Sequence, residues 1–79
     1  MNQDIRTIFL ELGTLRDKNL LSLVMGSCWL IIANENCPTI FKQERERYQD
    51  MIIDTHDFHR VMGVLDIAYE NSRNREIQV

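Results

Sequence analysis

The sequence predicts an all-α fold, in which an antiparallel helical hairpin, with a short N-terminal helix or helix extension, assembles into a homo-oligomeric helical bundle. Three observations support this prediction. The chain has only three glycines and one proline in 79 residues, whereas all-β domains need many turns built from them. A helical stripe of mostly apolar residues runs from Phe41 to Tyr69, and a matching stripe runs from Ile5 to Ala33. The only clear loop, residues 34–39, lies between the two stripes.

The chain is expected to form one small helical domain, residues 1–79, with helices at 3–12, 14–34 and 39–71 and a frayed tail at 72–79. Gly13 is expected to end the first helix in the left-handed conformation, and Thr14 to cap the second. Pro38 cannot continue a helix, so it separates the two arms. In the second arm, only Gly63 and a restart at Asp54-Thr55 are interruptions. The tail is polar and aperiodic, which is typical of a fraying end.

Folding the chain at the 34–39 loop pairs positions whose numbers add to about 74. Tyr48 then lies opposite Gly26, a large side chain against a small one, as interdigitated packing prefers. Trp29 lies opposite Glu44, where the indole N–H could reach the carboxylate. The register therefore predicts that Gly26→Ala overpacks a close contact, whereas Gly63→Ala is neutral or mildly stabilising.

The stretch LLSLVMGSCWLIIA, residues 20–33, has no charge. The hairpin contact uses mainly its small residues, so its large aliphatic residues lie on other faces of the same helix. A helix that is apolar nearly all round must be covered on several sides, and one hairpin would expose too large an apolar patch. We therefore predict a homodimer or higher oligomer. The predicted interface consists of Leu20, Leu23, Val24, Trp29, Leu30, Ile31, Ile52 and Val64.

Composition and charge disfavour several classes of protein. The net charge is −3, and the basic cluster at residues 42–47 alternates with acids, so we expect no binding to nucleic acid. The apolar run is shorter than the roughly 20 residues that span a bilayer, and no signal peptide is recognisable, so no membrane association is expected. Two cysteines do not make a disulfide framework, and a reducing cytoplasm fits best.

Two histidines are the only candidates for a metal site. His56 and His59 would share one face of a helix, with Asp50 or Asp57 as oxygen donors. The dipeptide His56-Asp57 resembles the signature of metal-dependent phosphohydrolases, but that activity needs further ligands and the chain has no third histidine. We predict no metal and no cofactor. The carboxylates of the second arm are interpreted as a solvated face, apart from Glu44 on the apolar stripe.

The function expected from this architecture is that of a small non-enzymatic interaction protein. It would bind and regulate another macromolecule, with a protein as the expected partner, as a homo-oligomer in the manner of an inhibitor, adaptor or antitoxin. One alternative is an oligomer that sequesters a nucleotide or a similar small ligand between subunits. The arginines that would contact that ligand or a partner are Arg45, Arg47 and Arg60. A second alternative is a metal-dependent hydrolase that uses His56 and His59.

Overall fold

The computed structural model describes the backbone of residues 5–77 and the side chains of residues 5–73. The described chain forms four α-helices, and it contains no strand. The helices are α1 (Ile5–Leu12), α2 (Lys18–Ala33), α3 (Cys37–Gln49) and α4 (Thr55–Ile77). The all-α prediction is confirmed. Residues 3–4 of the first predicted helix, and residues 78–79 of the predicted tail, lie outside the described part.

The turn between α1 and α2 differs from the prediction. Thr14 does not cap α2; its hydroxyl donates to the carbonyl of Glu11, 2.7 Å away, and so closes the end of α1. Gly13 has no positive φ. The cap of α2 is Asp17, whose carboxylate accepts the backbone amides of Asn19 and Leu20. The predicted start at residue 14 is therefore wrong, because the stronger capping residue lies three positions later.

The predicted helix at 39–71 is two helices. The last turn of α3 closes with the amide of Met51 on the carbonyl of Tyr48 at 3.3 Å. The carboxylate of Asp54 then accepts the amides of His56 and Asp57, at 2.9 and 3.4 Å, and starts α4. Residues 50–54 form a non-helical linker between α3 and α4. An aspartate that caps a new helix competes with continuation of the old one.

Residues 72–77, where the sequence predicts a frayed tail, belong to α4, which continues to Ile77. The hydroxyl of Ser72 donates to the carbonyl of Ile31 at 3.0 Å, and Ser72 is only 2% exposed. This contact joins α4 to the end of α2. Packing against α2 therefore includes Ser72, the first residue after the predicted helix.

The helices pack around α4, which contacts each of the other three. α3 runs antiparallel to α4, as the Phe41–Tyr69 stack and the Arg45–Asp66 ion pair show. α4 runs parallel to α2, because Cys28 contacts Val64 and Ile31 contacts Ser72. The second arm therefore does not return along α2 over its whole length.

Two contacts of the predicted register are wrong. Apart from the backbone of α2, no atom lies within 4 Å of the position that a Cβ on Gly26 would occupy. The hydroxyl of Tyr48 lies 2.6 Å from that of Ser27 instead. Trp29 contacts Phe9 with ring centroids 6.3 Å apart, and Glu44 bonds to Ser27. Ser27 therefore takes the place that the predicted register gave to Gly26 and Trp29.

The core receives side chains from all four helices. It includes Leu12 from α1, Val24 and Ile31 from α2, Tyr48 from α3, and Val64 from α4, each at most 2% exposed. Burial raises the pKa of the Cys28 thiol to about 12, so this group stays protonated and packs as an apolar side chain. No helix of the described chain is both long and apolar enough to cross a membrane.

Candidate functional site

The outer face of α2 is an uncharged exposed surface. It consists of Asn19, Ser22, Gly26, Trp29, Leu30 and Ala33, all of which are exposed. Trp29 is 44% exposed and Leu30 is 50% exposed. Phe9 of α1, which is 46% exposed, contacts Trp29 and extends the apolar surface onto the neighbouring helix. An exposed apolar patch that includes aromatic rings is typical of a protein contact.

The residues of the predicted oligomer interface differ in their exposure to solvent. Four of its residues lie in the core of the chain itself: Leu20, Val24, Ile31 and Val64. A side chain without exposed surface cannot contact a second copy unless the fold opens. Leu23 is half-buried and packs against the core, so it offers only part of its surface. The exposed members are Trp29 and Leu30 on α2, and Ile52 in the linker.

The carboxylate of Asp57 joins the start of α4 to the turn before α2. Its Oδ1 accepts the backbone amide of Arg16 at 3.1 Å, and its Oδ2 accepts that of Asp17 at 3.2 Å. Nδ1 of His56 lies 3.0 Å from Oδ1. These bonds, led by that of the Arg16 amide, lower the pKa of Asp57 although its burial acts in the opposite direction. Asp57 is 2% exposed, so its carboxylate is buried where it joins α4 to the turn before α2.

The only metal-like cluster among the described residues combines Asp54, His56 and Asp57, whose ligand atoms lie within 4.8 Å of one another. Hydrogen bonds already use these groups. Asp54 caps α4, and both oxygens of Asp57 accept backbone amides. His59, the other predicted candidate, is not part of the cluster. The arrangement is that of a helix start, and Asp50 does not join it either.

Ser27, Glu44 and Tyr48 form a polar cluster between α2 and α3. The Ser27 hydroxyl lies 2.5 Å from Oε1 of Glu44 and 2.6 Å from the Tyr48 hydroxyl. Burial raises the pKa of Tyr48, while the hydrogen bond with Ser27 acts to lower it. The apolar stripe indicated that Glu44 needs a partner, and the partners expected were Trp29, or Arg45 or Arg47 of another subunit. The structure pairs Glu44 with Ser27 and with Arg47 of the same chain. Serine at 27 gave no sequence signal, because its partners come from another helix.

The three predicted arginines are each opposite a carboxylate. Arg45 lies 3.3 Å from Asp66 and also over the ring of Phe41, and Arg47 lies 3.2 Å from Glu44. Arg60 pairs with Glu11 of α1. The guanidinium groups are in three separate ion pairs. Each carboxylate reduces the attraction of its arginine for a phosphate or another anion.

An apolar cleft, which we call the linker cleft, lies between the start of α2 and the linker. Its volume is about 210 Å³. The apolar residues that line it are Leu20, Leu23, Met51, Ile52 and Ile53, and the polar residues at its edge include Asp17, Asn19 and Asp54. Sequence reasoning missed this cleft because it predicted helix through the linker. No family model, curated protein or solved structure matches the chain. The outer face of α2 and the linker cleft are therefore the surfaces from which we infer its function.

Proposed function

We propose that this protein is a small non-enzymatic interaction protein, which self-associates through the outer face of α2 and binds and regulates another macromolecule as a homo-oligomer. The observation that carries this proposal is the uncharged exposed face that includes the large side chains of Trp29 and Leu30. Removing such side chains from water stabilises a complex in proportion to the apolar area buried. The carboxylates of Asp57 and Glu44 have structural partners, which also favours a binding role over acid–base chemistry.

A second copy of the chain suits this face because no like charges would meet. When two identical faces pack about a two-fold axis, each residue approaches itself or its close neighbours. The face has no ionisable side chain from Asn19 to Ala33, so this approach brings no electrostatic repulsion. Gly26 and Ser22 are small and exposed, and they allow the backbones of two helices to come close.

A stable contact between two copies has to bury more surface than the two exposed aromatic rings supply, so it has to extend along α2. Standard interfaces bury about 800 Å² on each partner, and a fully buried aromatic side chain supplies roughly 150–250 Å². Trp29 and Phe9 are only half exposed, so the two rings supply part of this area. A helix pair along the length of the outer face, with Leu30 beside Trp29, supplies more. The proposal keeps the expected reducing cytoplasmic setting, in which the buried thiols of Cys28 and Cys37 stay out of disulfides.

The experiment is sedimentation velocity at micromolar concentration on the wild type, Leu30→Asp and Gln43→Asp. Leu30→Asp places a charge in the proposed interface but at a half-exposed site, so the variant should fold and sediment as a monomer. Gln43→Asp makes the same change of net charge at an exposed site of α3, and it should sediment like the wild type. A wild-type chain that sediments as a folded monomer of 9.4 kDa would contradict the proposal.

A further inference from the structure

The linker cleft combines an apolar floor with a fully exposed aliphatic side chain. Leu20 is buried at its base, and Leu23 and Ile53 are half-buried on its walls. Ile52 lines the same cleft and is 105% exposed, as in an extended peptide. Met51, which is 39% exposed, lines the cleft beside Ile52, so the two side chains and the half-buried Leu23 form one apolar surface. A contiguous exposed apolar surface of this kind is typical of a contact site.

The charges at the edge of the cleft are acidic. Asp17 and Asp54 are exposed, and each caps a helix, so neither can turn away from the cleft without losing its backbone partners. The nearest lysine in the sequence, Lys18, donates to the carbonyl of Leu15 and does not line the cleft. The described residues that line the cleft include no basic side chain, so its edge presents fixed negative charge to a ligand.

We propose that the linker cleft binds an apolar side chain of a partner protein that has lysine or arginine on either side of it. This inference rests on the proposed function and names the chemistry of the partner that the homo-oligomer would bind. The cleft is smaller than the roughly 300–1,000 Å³ of small-molecule sites, so it accommodates one side chain and not a drug-sized ligand. The acidic edge attracts basic residues that flank that side chain.

A second copy of this chain fits the cleft less well. If Ile52 of one copy entered the cleft of another, two-fold symmetry would bring Asp17 and Asp54 of both copies together. Like charges at a contact disfavour it. The outer face of α2 has no such charges, and for this reason we assign self-association to that face and the basic partner to the cleft.

Nuclear magnetic resonance titrations with three synthetic peptides test the inference. The first is an amphipathic peptide of leucine and lysine; the second has glutamate in place of lysine, and the third has alanine in place of leucine. We expect the first to shift the amide resonances of Leu20, Leu23 and Ile53, and to bind at least ~10-fold more tightly than either of the others. Its affinity should also fall as salt screens the acidic edge.

Two matched variants locate the binding. Ile52→Lys adds a positive charge beside the cleft at a fully exposed site, so it should fold normally and weaken binding of the lysine peptide ~10-fold. Leu10→Lys makes the same change at a residue of α1 that is 74% exposed and does not line the cleft, and it should bind the peptide like the wild type.

Three results would overturn the inference: no shift of the cleft resonances at any peptide concentration, equal binding of the glutamate peptide, or loss of self-association in Ile52→Lys without any effect on the peptide. The third result would mean that the cleft is a contact between copies. Repeating the titration with Leu30→Asp separates this inference from self-association. Peptide binding by that variant, together with a monomeric wild type, would contradict the oligomer and leave the cleft assignment intact.

Discussion

Ser27 connects two helices through one hydroxyl group that contacts both Glu44 and Tyr48. Ser27→Ala removes both contacts and leaves two polar groups without this partner, one of them on the fully buried Tyr48. We expect a loss of about 1–3 kcal/mol in the free energy of unfolding. Tyr48→Phe removes only one contact and keeps the ring, so its loss should be smaller, at about 1 kcal/mol.

Urea denaturation of the two single variants and the double variant measures this coupling. The double variant should lose less stability than the sum of the two single losses, because both substitutions remove the same hydrogen bond. Strictly additive losses would show that the Ser27–Tyr48 contact contributes nothing of its own.

The lowered pKa of Asp57 predicts a loss of stability in acid. Because this pKa is lower in the folded chain than in the unfolded chain, the ionised group stabilises the fold fully above the unfolded value and loses this effect as the pH falls through the folded value. Asp57→Asn should therefore unfold more easily than the wild type at pH 7, and the difference should shrink below about pH 4.

Urea denaturation between neutral and acidic pH, followed by circular dichroism, measures the effect of Asp57→Asn. Asp66→Asn is the control, because it removes an aspartate from an exposed ion pair with Arg45, and it should change the unfolding free energy by less than about 1 kcal/mol. If the unfolding free energies of the wild type and Asp57→Asn differed by the same amount at every pH, ionisation of Asp57 would not contribute to stability.

The sequence predicted the role of a single residue only where that residue departed from the pattern around it. Glu44 on an apolar stripe indicated a buried carboxylate with a partner, and the structure gives it one. The expected contact with Trp29 was wrong, and Ser27 was not foreseen because a small polar residue fits solvent or core equally well. Asp57 was interpreted as part of a solvated face, since its backbone partners at residues 16 and 17 are far away in the sequence.

The helices themselves follow from the apolar stripes, whereas their ends follow from competition between caps. Asp17 and Asp54 each begin a helix. The sequence indicated a restart at Asp54-Thr55, whereas it predicted Thr14 as the cap of α2. The start of α2 was misplaced because Thr14 is also a possible capping residue. The start of α4 was not predicted as that of a separate helix because the apolar stripe continues without a break through residues 51–53. Periodicity cannot detect a linker when apolar residues continue through it, as Met51, Ile52 and Ile53 do. The linker cleft was hidden for the same reason.

Gly26 and Gly63 occupy exposed positions in the middle of α2 and α4. Apart from the backbone of its own helix, neither has an atom within 4 Å of the position of an added Cβ. Gly26→Ala and Gly63→Ala should therefore each stabilise the monomer by about 0.5–1 kcal/mol, because alanine favours the helix and restricts the unfolded chain.

Chemical denaturation at low protein concentration measures both glycine variants without a contribution from self-association. This expectation replaces the one from the predicted register, in which only Gly63→Ala was tolerated. A destabilised Gly26→Ala variant at low concentration would mean that Gly26 has a close neighbour within the chain, contrary to the packing described here.

Two adjacent residues distinguish the assembly of the molecule from its folding. Leu30 is 50% exposed on the outer face of α2, and Ile31 has no exposed surface in the core. If copies associate through this face, the thermal midpoint of the wild type rises with protein concentration, because association stabilises only the folded chain. Leu30→Asp should unfold at a midpoint that does not depend on concentration.

Ile31→Asp should behave differently from Leu30→Asp at every concentration. It buries an unpaired charge between α2 and α4, which costs several kcal/mol in a chain of this size and should prevent folding. Differential scanning calorimetry over a wide concentration range compares the three proteins. A wild-type midpoint that stays constant would contradict self-association, and a folded Ile31→Asp variant would contradict the core. The pair therefore tests the surface and the interior with substitutions one residue apart.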